Sequence, residues 1–221
     1  MNINHTKIVT CYLNGAVDPQ RGSRFTPSIK EAQPLIDSAV KYGDLVIITD
    51  CIFDKEGNNV ELIQVEPKTL NPYYRRWQLY KDYIDNLTED TIIFFVDATD
   101  VEVLRDPFDL MLANTLYVGW ENDLIGNNKW LRDHHKELPE LFERYSSGRM
   151  YNAGVIGGEI KVLKRFLDEM QKYLYRSGFT DMAAFNYVLY HNIFNIVSGE
   201  TVTTEFKKFD YNNRIARFRH K

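Results

Sequence analysis

The stretch FFVDATDVEVLRDPF, residues 94–108, decides how this sequence is interpreted. It begins within the apolar run TIIFFVD (91–97), which is typical of a strand covered on both faces of a sheet because apolar and polar residues do not alternate. Two carboxylates, Asp97 and Asp100, stand at the carboxyl end of that strand. In open α/β sheets, ligands bind at this end of the strands. The stretch therefore predicts a central strand that delivers two acids to a ligand site.

The rest of the chain alternates between predicted strands and helices. Apolar runs predict strands at 7–13, 44–51, 60–66, 115–121, 150–158 and within 194–206. Amphipathic or capped runs predict helices at 71–87, 159–177 and 180–192. This alternation predicts a single α/β domain over residues 1–221 with a mostly parallel central sheet.

Two further segments carry weaker expectations. A helix is expected to start near Pro27, to bend at Pro34 and to stop at Gly43, because proline inside a helix interrupts its hydrogen bonds. The polar stretch 122–150 is expected to be a mobile loop with one helix near 138–145.

Composition limits the function classes. Of the 221 residues 44% are apolar, which suffices for a substantial core. The net charge of −4 disfavours nucleic-acid binding by the chain as a whole. The N-terminus carries no basic-then-apolar leader, and no eighteen apolar residues run together. These features predict a cytoplasmic protein without a membrane span.

By itself the D-x-x-D pair allows two interpretations. The carboxylates of Asp97 and Asp100 can satisfy turn amides, or they can hold a hard divalent cation that substrate phosphates complete. The sequence contains no P-loop, dinucleotide-binding or nucleophile-elbow motif. Neighbouring His134 and His135 would diverge on a helix, so both are expected at the surface.

Four ordered segments resemble nucleotide-sugar glycosyltransferases of the A-type fold. They are NPYYRRWQLYKDYI (71–84), FFVDATDVEVLRDPF (94–108), YNAGVIGG (151–158) and TDMAAFNYVLY (180–190). The resemblance runs from about residue 5 to 200 and treats the aspartate pair as a spaced form of the family's D-x-D motif. It implies a Rossmann-like sandwich that uses Mn²⁺ or Mg²⁺ to move a sugar from a nucleoside-diphosphate sugar, such as a UDP-sugar, to a hydroxyl acceptor.

The resemblance also implies a set of site residues. Asp97 and Asp100 would ligate the metal, and His220 is the candidate for a third ligand. The donor would contact Thr10, Cys11, Arg76, Asp97, Ala98, Thr99, Gly157 and Gly158. Asn152 and Asp181 would be catalytic beside the donor sugar, and a retaining outcome is favoured. Arg75 is expected to be solvated, whereas Trp120 and Glu121 can supply a stacking platform and a carboxylate.

Several alternatives stay open. The chain can be a sugar- or nucleotide-binding protein without turnover. A sugar-phosphate nucleotidyltransferase is disfavoured, because NGAVDPQRGSR (14–24) lacks a compact arginine loop. The basic tail 206–221 has six cationic side chains against one acid, Asp210. It is expected to close over the donor diphosphate, to bind a polyanionic acceptor such as nucleic acid with a hydroxylated base, or to remain solvated. A glycan or a small molecule is the other acceptor considered.

Overall fold

A seven-stranded sheet forms the centre of the protein, whose computed structural model describes residues 5–26, 28–52, 59–109, 111–208 and 210–221. The strands are β1 (Thr6–Tyr12), β2 (Asp44–Thr49), β3 (Val60–Gln64), β4 (Ile92–Asp97), β5 (Val101–Val103), β6 (Thr115–Leu124), β7 (Arg149–Glu159), β8 (Asn195–Ser198) and β9 (Phe218–His220). The sheet order is β3-β2-β1-β4-β7-β6-β8, and β5 and β9 form a separate ribbon. Within the described sheet only β7 pairs antiparallel to its neighbours. The predicted α/β fold with a mostly parallel sheet is confirmed.

Six helices pack on this sheet in the described part of the chain. They are α1 (Gln33–Ala39), α2 (Pro72–Asp85), α3 (Lys129–His134), α4 (Glu140–Tyr145), α5 (Ile160–Tyr173) and α6 (Met182–His191). As predicted, α2 begins with an asparagine cap, since the Asn71 side chain accepts a hydrogen bond from Tyr73 N at 3.0 Å and Pro72 follows the cap. No helix among the described residues is both long and apolar enough to cross a membrane.

Strand β4 is buried on both faces, as its composition predicts. Phe95 stacks on Tyr80 of α2 with ring centroids 4.1 Å apart, on the face that α5 and α6 also cover. Phe94 points to the other face and packs against Phe218 of β9, with centroids 5.0 Å apart. Burying one such ring contributes about 1.5–3 kcal/mol. Packing on both faces therefore fixes the position of the strand end that carries Asp97.

Two local expectations are met only in part. A 3₁₀ turn over Ile29–Ala32, capped by Ser28, leads into α1 close to the predicted entry, and Pro34 lies in the first turn of α1, where proline is tolerated. Pro27 lies outside the described residues. In the stretch 122–150 the helix expected near 138–145 is present as α4, but α3 forms as well, and Leu131 and Leu141 are fully buried in the core. This apolar contact makes it a packed part of the fold.

The C-terminal tail is built into the structure. In the β5–β9 ribbon, Val101 lies opposite His220 and Val103 lies opposite the fully buried Phe218. Acids of the 101–109 segment neutralise tail cations: Glu102 pairs with Arg219 and Lys221, and Asp109 pairs with Arg217. Much of the basic charge that the sequence concentrates in the tail therefore has intramolecular partners.

The prediction that Arg75 is solvated is wrong. Its side chain is buried and donates to Asp50 Oδ2 at 2.9 Å and to the Glu66 carbonyl. Asp50 also accepts hydrogen bonds from the Asn14 and Gly15 amides at 2.6 and 3.0 Å. The buried ion pair therefore holds the loop that follows β1.

We expect Arg75→Leu to lower the free energy of unfolding by about 3 kcal/mol, because it leaves the Asp50 carboxylate buried without its cation. Urea unfolding followed by circular dichroism measures this change. Arg24→Leu, at an exposed position, is the control and should change stability by at most about 0.5 kcal/mol. Equal losses in the two variants would contradict a structural role for the pair.

Candidate functional site

Two adjoining cavities open at the carboxyl ends of β1 and β4. Cavity I, of about 110 Å³, lies between the loop after β1 and the start of α2. Cavity II, of about 240 Å³, lies between β6, β7, the start of α6 and the tail. Five residues line both: Gln20, Tyr73, Arg76, Asp97 and Asp100. The cavities are thus two halves of one cleft.

Arg76 connects the acids of the cleft. Its guanidinium donates to Asp97 Oδ1 from one side and contacts Asp181 Oδ2 through Nε at 2.8 Å and through the terminal nitrogen at 2.6 Å. Burial alone lowers the pKa of Arg76, but the two carboxylates outweigh burial and raise it. Arg76 is therefore always protonated, and its charge is paired with Asp97 of β4 and with Asp181 before α6.

Asp181 is the residue that precedes α6, and its side chain lines the cleft. Its side chain is 1% exposed, and Oδ2 also accepts a hydrogen bond from the Trp77 indole. Burial raises the pKa of Asp181, while Arg76 and Trp77 act in the opposite direction. This carboxylate lines cavity II, and its Oδ2 is occupied by Arg76 and Trp77.

His220 is brought to the aspartates by the tail. The Lys221 amide donates to the Asp100 carbonyl at 2.8 Å, and His220 Nε2 lies 3.8 Å from Asp97 Oδ2. The imidazole is 2% exposed, and its buried Nδ1 has no hydrogen-bond partner among the described residues. Burial lowers the pKa of His220 to about 4. The ring is therefore neutral at pH 7, with a nitrogen lone pair available.

The structure brings one glycine of the NAGVIGG segment to the cleft. A Cβ atom on Gly154 would lie 2.2 Å from the His220 ring and 2.9 Å from Asp97 Oδ2, so a larger residue would displace one of them. Gly157 and Gly158 lie opposite Phe94 and Ile93, toward the amino end of β4 and outside the cleft. Because β7 runs antiparallel to β4, each later residue of β7 is farther from Asp97.

Of the other residues expected to contact the donor, three line the cleft and one does not. Cys11, Ala98 and Thr99 line cavity I, and the Thr99 hydroxyl donates to Asp100 Oδ1 at 2.7 Å. Thr10 is fully buried and donates to the Val96 carbonyl at 2.7 Å, so it fastens β1 to β4 and does not line the cleft.

The loop after β1 is compact, contrary to expectation. The amide of Asp18 donates to the Ser23 carbonyl at 2.9 Å, and the Asp18 carboxylate accepts a hydrogen bond from Gln20 N at 2.7 Å. The loop carries Arg21, which lies over the Phe25 ring at 4.3 Å and 3.8 Å from Asp100 Oδ1. An arginine therefore stands at the rim of cavity I, beside the acids.

Asn152 and Glu121 form a polar pair in cavity II. The Asn152 amide group donates to Glu121 Oε1 at 2.6 Å, and Asn152 Oδ1 accepts a hydrogen bond from Gly154 N at 2.8 Å. Trp120 is buried and donates to the Thr203 carbonyl at 3.1 Å, so it belongs to the core.

The expectation that His135 lies at the surface is also wrong. The side chain is fully buried, with Nδ1 against the Ser177 carbonyl and Nε2 3.3 Å from the Thr180 hydroxyl. These contacts fasten the segment that leads to Asp181. His134 is exposed, as expected. No periodic signal distinguishes the two neighbours, since α3 ends between them.

The strand ends carry side chains of the types that bind a divalent cation. Asp97 and Asp100 offer carboxylate oxygens, and His220 offers a neutral imidazole whose Nε2 lies 3.8 Å from Asp97 Oδ2. In the arrangement shown, no three acid, histidine or cysteine side chains of the described chain stand close enough to hold a metal by themselves. Arg76 occupies one oxygen of Asp97, and Arg21 stands near Asp100. A cation would therefore need ligands from a bound molecule as well.

Compared with models of known protein families and with curated proteins, the sequence matches none of them. The fold and the geometry of the cleft are therefore the structural observations that bear on function.

The buried imidazole makes stability depend on pH. Because the pKa of His220 is about 4 when folded, against about 6.5 when unfolded, its contribution is fully present above pH 6.5 and is lost as the pH falls through 4. We expect wild-type protein in EDTA to lose about 3 kcal/mol more stability than His220→Gln between pH 7 and 4. Urea unfolding at each pH measures the difference, and parallel curves would refute it.

Proposed function

We propose that this protein is a metal-dependent glycosyltransferase that moves a sugar from a nucleoside-diphosphate sugar to a hydroxyl acceptor. The observation that carries the proposal is the meeting of Asp97, Asp100 and His220 at the strand ends, between two halves of one cleft. These residues come from β4, the following turn and the last strand. Their convergence agrees with the resemblance of the sequence to such enzymes.

Cavity I is suited to the nucleoside. The rings of Tyr12, Phe25 and Tyr73 line it, and planar side chains pack well against a base. Ala98 and Thr99, in the turn that leads to Asp100, also line it. The base would therefore lie against α2 and the loop after β1, with the diphosphate toward Asp100.

The diphosphate would lie where the two cavities meet. Asp97, Asp100 and His220 would hold Mn²⁺ or Mg²⁺, which stabilises negative charge on a departing nucleoside diphosphate. Arg21 and Lys207 stand at the rim of the cleft and supply further positive charge. Arg76 is neutralised by Asp97 and Asp181, so its task is to position these acids.

Cavity II is suited to the transferred sugar and the acceptor. Asn152 and Glu121 offer hydrogen-bonding groups for hydroxyls, and Trp130 offers an aromatic side chain. A glycan, a small molecule or a hydroxylated base all present such a hydroxyl. The ion pairs that neutralise Arg217, Arg219 and Lys221 weaken the case for a polyanionic acceptor.

The proposal is tested by screening nucleotide-sugars with Mn²⁺ in a thermal-shift assay and then measuring donor hydrolysis. A ligand that binds only the folded state at a hundred times its Kd stabilises it by about 2.7 kcal/mol. Mn²⁺-dependent stabilisation with slow release of nucleoside diphosphate supports the proposal. Stabilisation without turnover, with any acceptor tried, would instead identify a binding protein.

A nucleotidyltransferase is the second candidate, because the loop carrying Arg21 is compact and faces the acids. Such an enzyme would release pyrophosphate from a nucleoside triphosphate and a sugar 1-phosphate. A coupled pyrophosphate assay separates it from a glycosyltransferase, which releases nucleoside diphosphate from a preformed donor.

We expect Asp100→Asn to reduce metal-dependent turnover at least about a hundredfold, because the variant loses the anionic ligand that faces the diphosphate. The fold should be retained, since Asp100 is partly exposed and its carbonyl contact with Lys221 is unchanged. Asp82→Asn, on the exposed face of α2, is the matched control and should keep full activity. Turnover of Asp100→Asn at the wild-type rate, at fixed free Mn²⁺, would reject the metal role.

A further inference from the structure

Four carboxylates line cavity II, and they differ in their partners. Asp97 and Asp181 share the charge of Arg76. Asp100 accepts a hydrogen bond from Thr99 and lies near Arg21. Glu121 is the remaining one: among the described residues its hydrogen-bond partner is the neutral amide of Asn152, and no cation lies within ion-pair distance.

Glu121 is held in a defined position by the sheet. The register between β6 and β7 shifts so that Gly119 lies opposite Asn152, and a Cβ atom on Gly119 would lie 2.9 Å from the Asn152 carbonyl. Asn152 in turn accepts a hydrogen bond from Gly154 N at 2.8 Å while it donates to Glu121. The hydrogen bonds from Gly154 to Asn152 and from Asn152 to Glu121 therefore hold one oxygen of the Glu121 carboxylate in place.

The surroundings of Glu121 make it a stronger proton acceptor than a solvated glutamate. Burial raises the pKa of Glu121; the Asn152 hydrogen bond and Lys207 lower it in part, and Asp123 raises it again. The charged or titratable groups that line the same cavity are Arg76, Asp97, Asp100, Asp181, Lys207 and His220. A raised pKa brings a carboxylate closer to the value that suits a general base near neutral pH.

We propose that Glu121 is the general base that activates the acceptor hydroxyl. This inference rests on the proposed glycosyltransferase function. The acceptor oxygen would bond to the anomeric carbon as its proton passes to Glu121. The bond from that carbon to the diphosphate oxygen would break, and its electron pair would leave with the nucleoside diphosphate.

A base on the acceptor side implies a single displacement. The acceptor enters on the face opposite the leaving group, so the anomeric configuration of the sugar is inverted. This differs from the retaining outcome that the sequence resemblance favours. Asp181, the other carboxylate expected to act there, is tied to Arg76 and Trp77 and holds them in position.

The test compares Glu121→Gln with wild type, using the nucleotide-sugar and acceptor found by the screen. We expect kcat for transfer to fall about 10²- to 10⁴-fold, the usual contribution of a general base, while the Mn²⁺-dependent thermal shift from the donor stays unchanged. The acidic limb of the wild-type kcat profile should disappear in the variant. Glu143→Gln, on the exposed face of α4, is the matched control and should behave as wild type.

Proton NMR of the first product formed by the wild-type enzyme gives an independent answer. Inversion at the anomeric carbon supports Glu121 as the base, and retention overturns it even if Glu121→Gln fails to fold. Wild-type kcat in Glu121→Gln also overturns it while leaving the glycosyltransferase proposal intact. If instead no nucleotide-sugar binds or turns over, the proposed function itself fails.

Discussion

The ion pairs of Arg76 hold the cleft together. A single guanidinium bonds Asp97 at the end of β4 and Asp181 at the start of α6, so it joins the sheet to the helical layer at the point where the cavities meet. Three charges of this kind are stable in a buried place because each is paired and hydrogen-bonded. Removing the arginine would leave two carboxylates close together without compensation. The geometry of the acids therefore depends on this side chain.

Close packing of backbone segments completes the site. Gly154 allows β7 to pass directly beside His220 and Asp97, where a Cβ atom would clash with both. The ribbon of β5 and β9 places His220 next to the turn that carries Asp100. His220 thus lies more than one hundred residues from Asp97 and Asp100 in the sequence, and it meets them only when the tail is docked.

The carboxylates of the cleft are distinguished by their neighbours. Asp181 Oδ2 accepts hydrogen bonds from the charged Arg76 and from Trp77, whereas Glu121 receives a hydrogen bond from a neutral amide. Environment sets the protonation and availability of chemically similar groups. Under the proposed function, Asp181 positions Arg76 and Trp77, Asp97 and Asp100 bind the metal beside the phosphates, and Glu121 accepts the proton of the acceptor hydroxyl.

The sequence alone determined the central strand and the location of its acids, because an unbroken apolar run must be covered on both faces and parallel strands end at one edge. The N-terminal cap of α2 was equally predictable from the sequence, since it depends on local hydrogen bonds. Tertiary structure alone decided that Arg75 is buried and which glycine borders the cleft, since these depend on Asp50 and on the antiparallel direction of β7. Packing between distant segments leaves no periodic signal in the chain, and His220 was predicted only by its place in a family pattern.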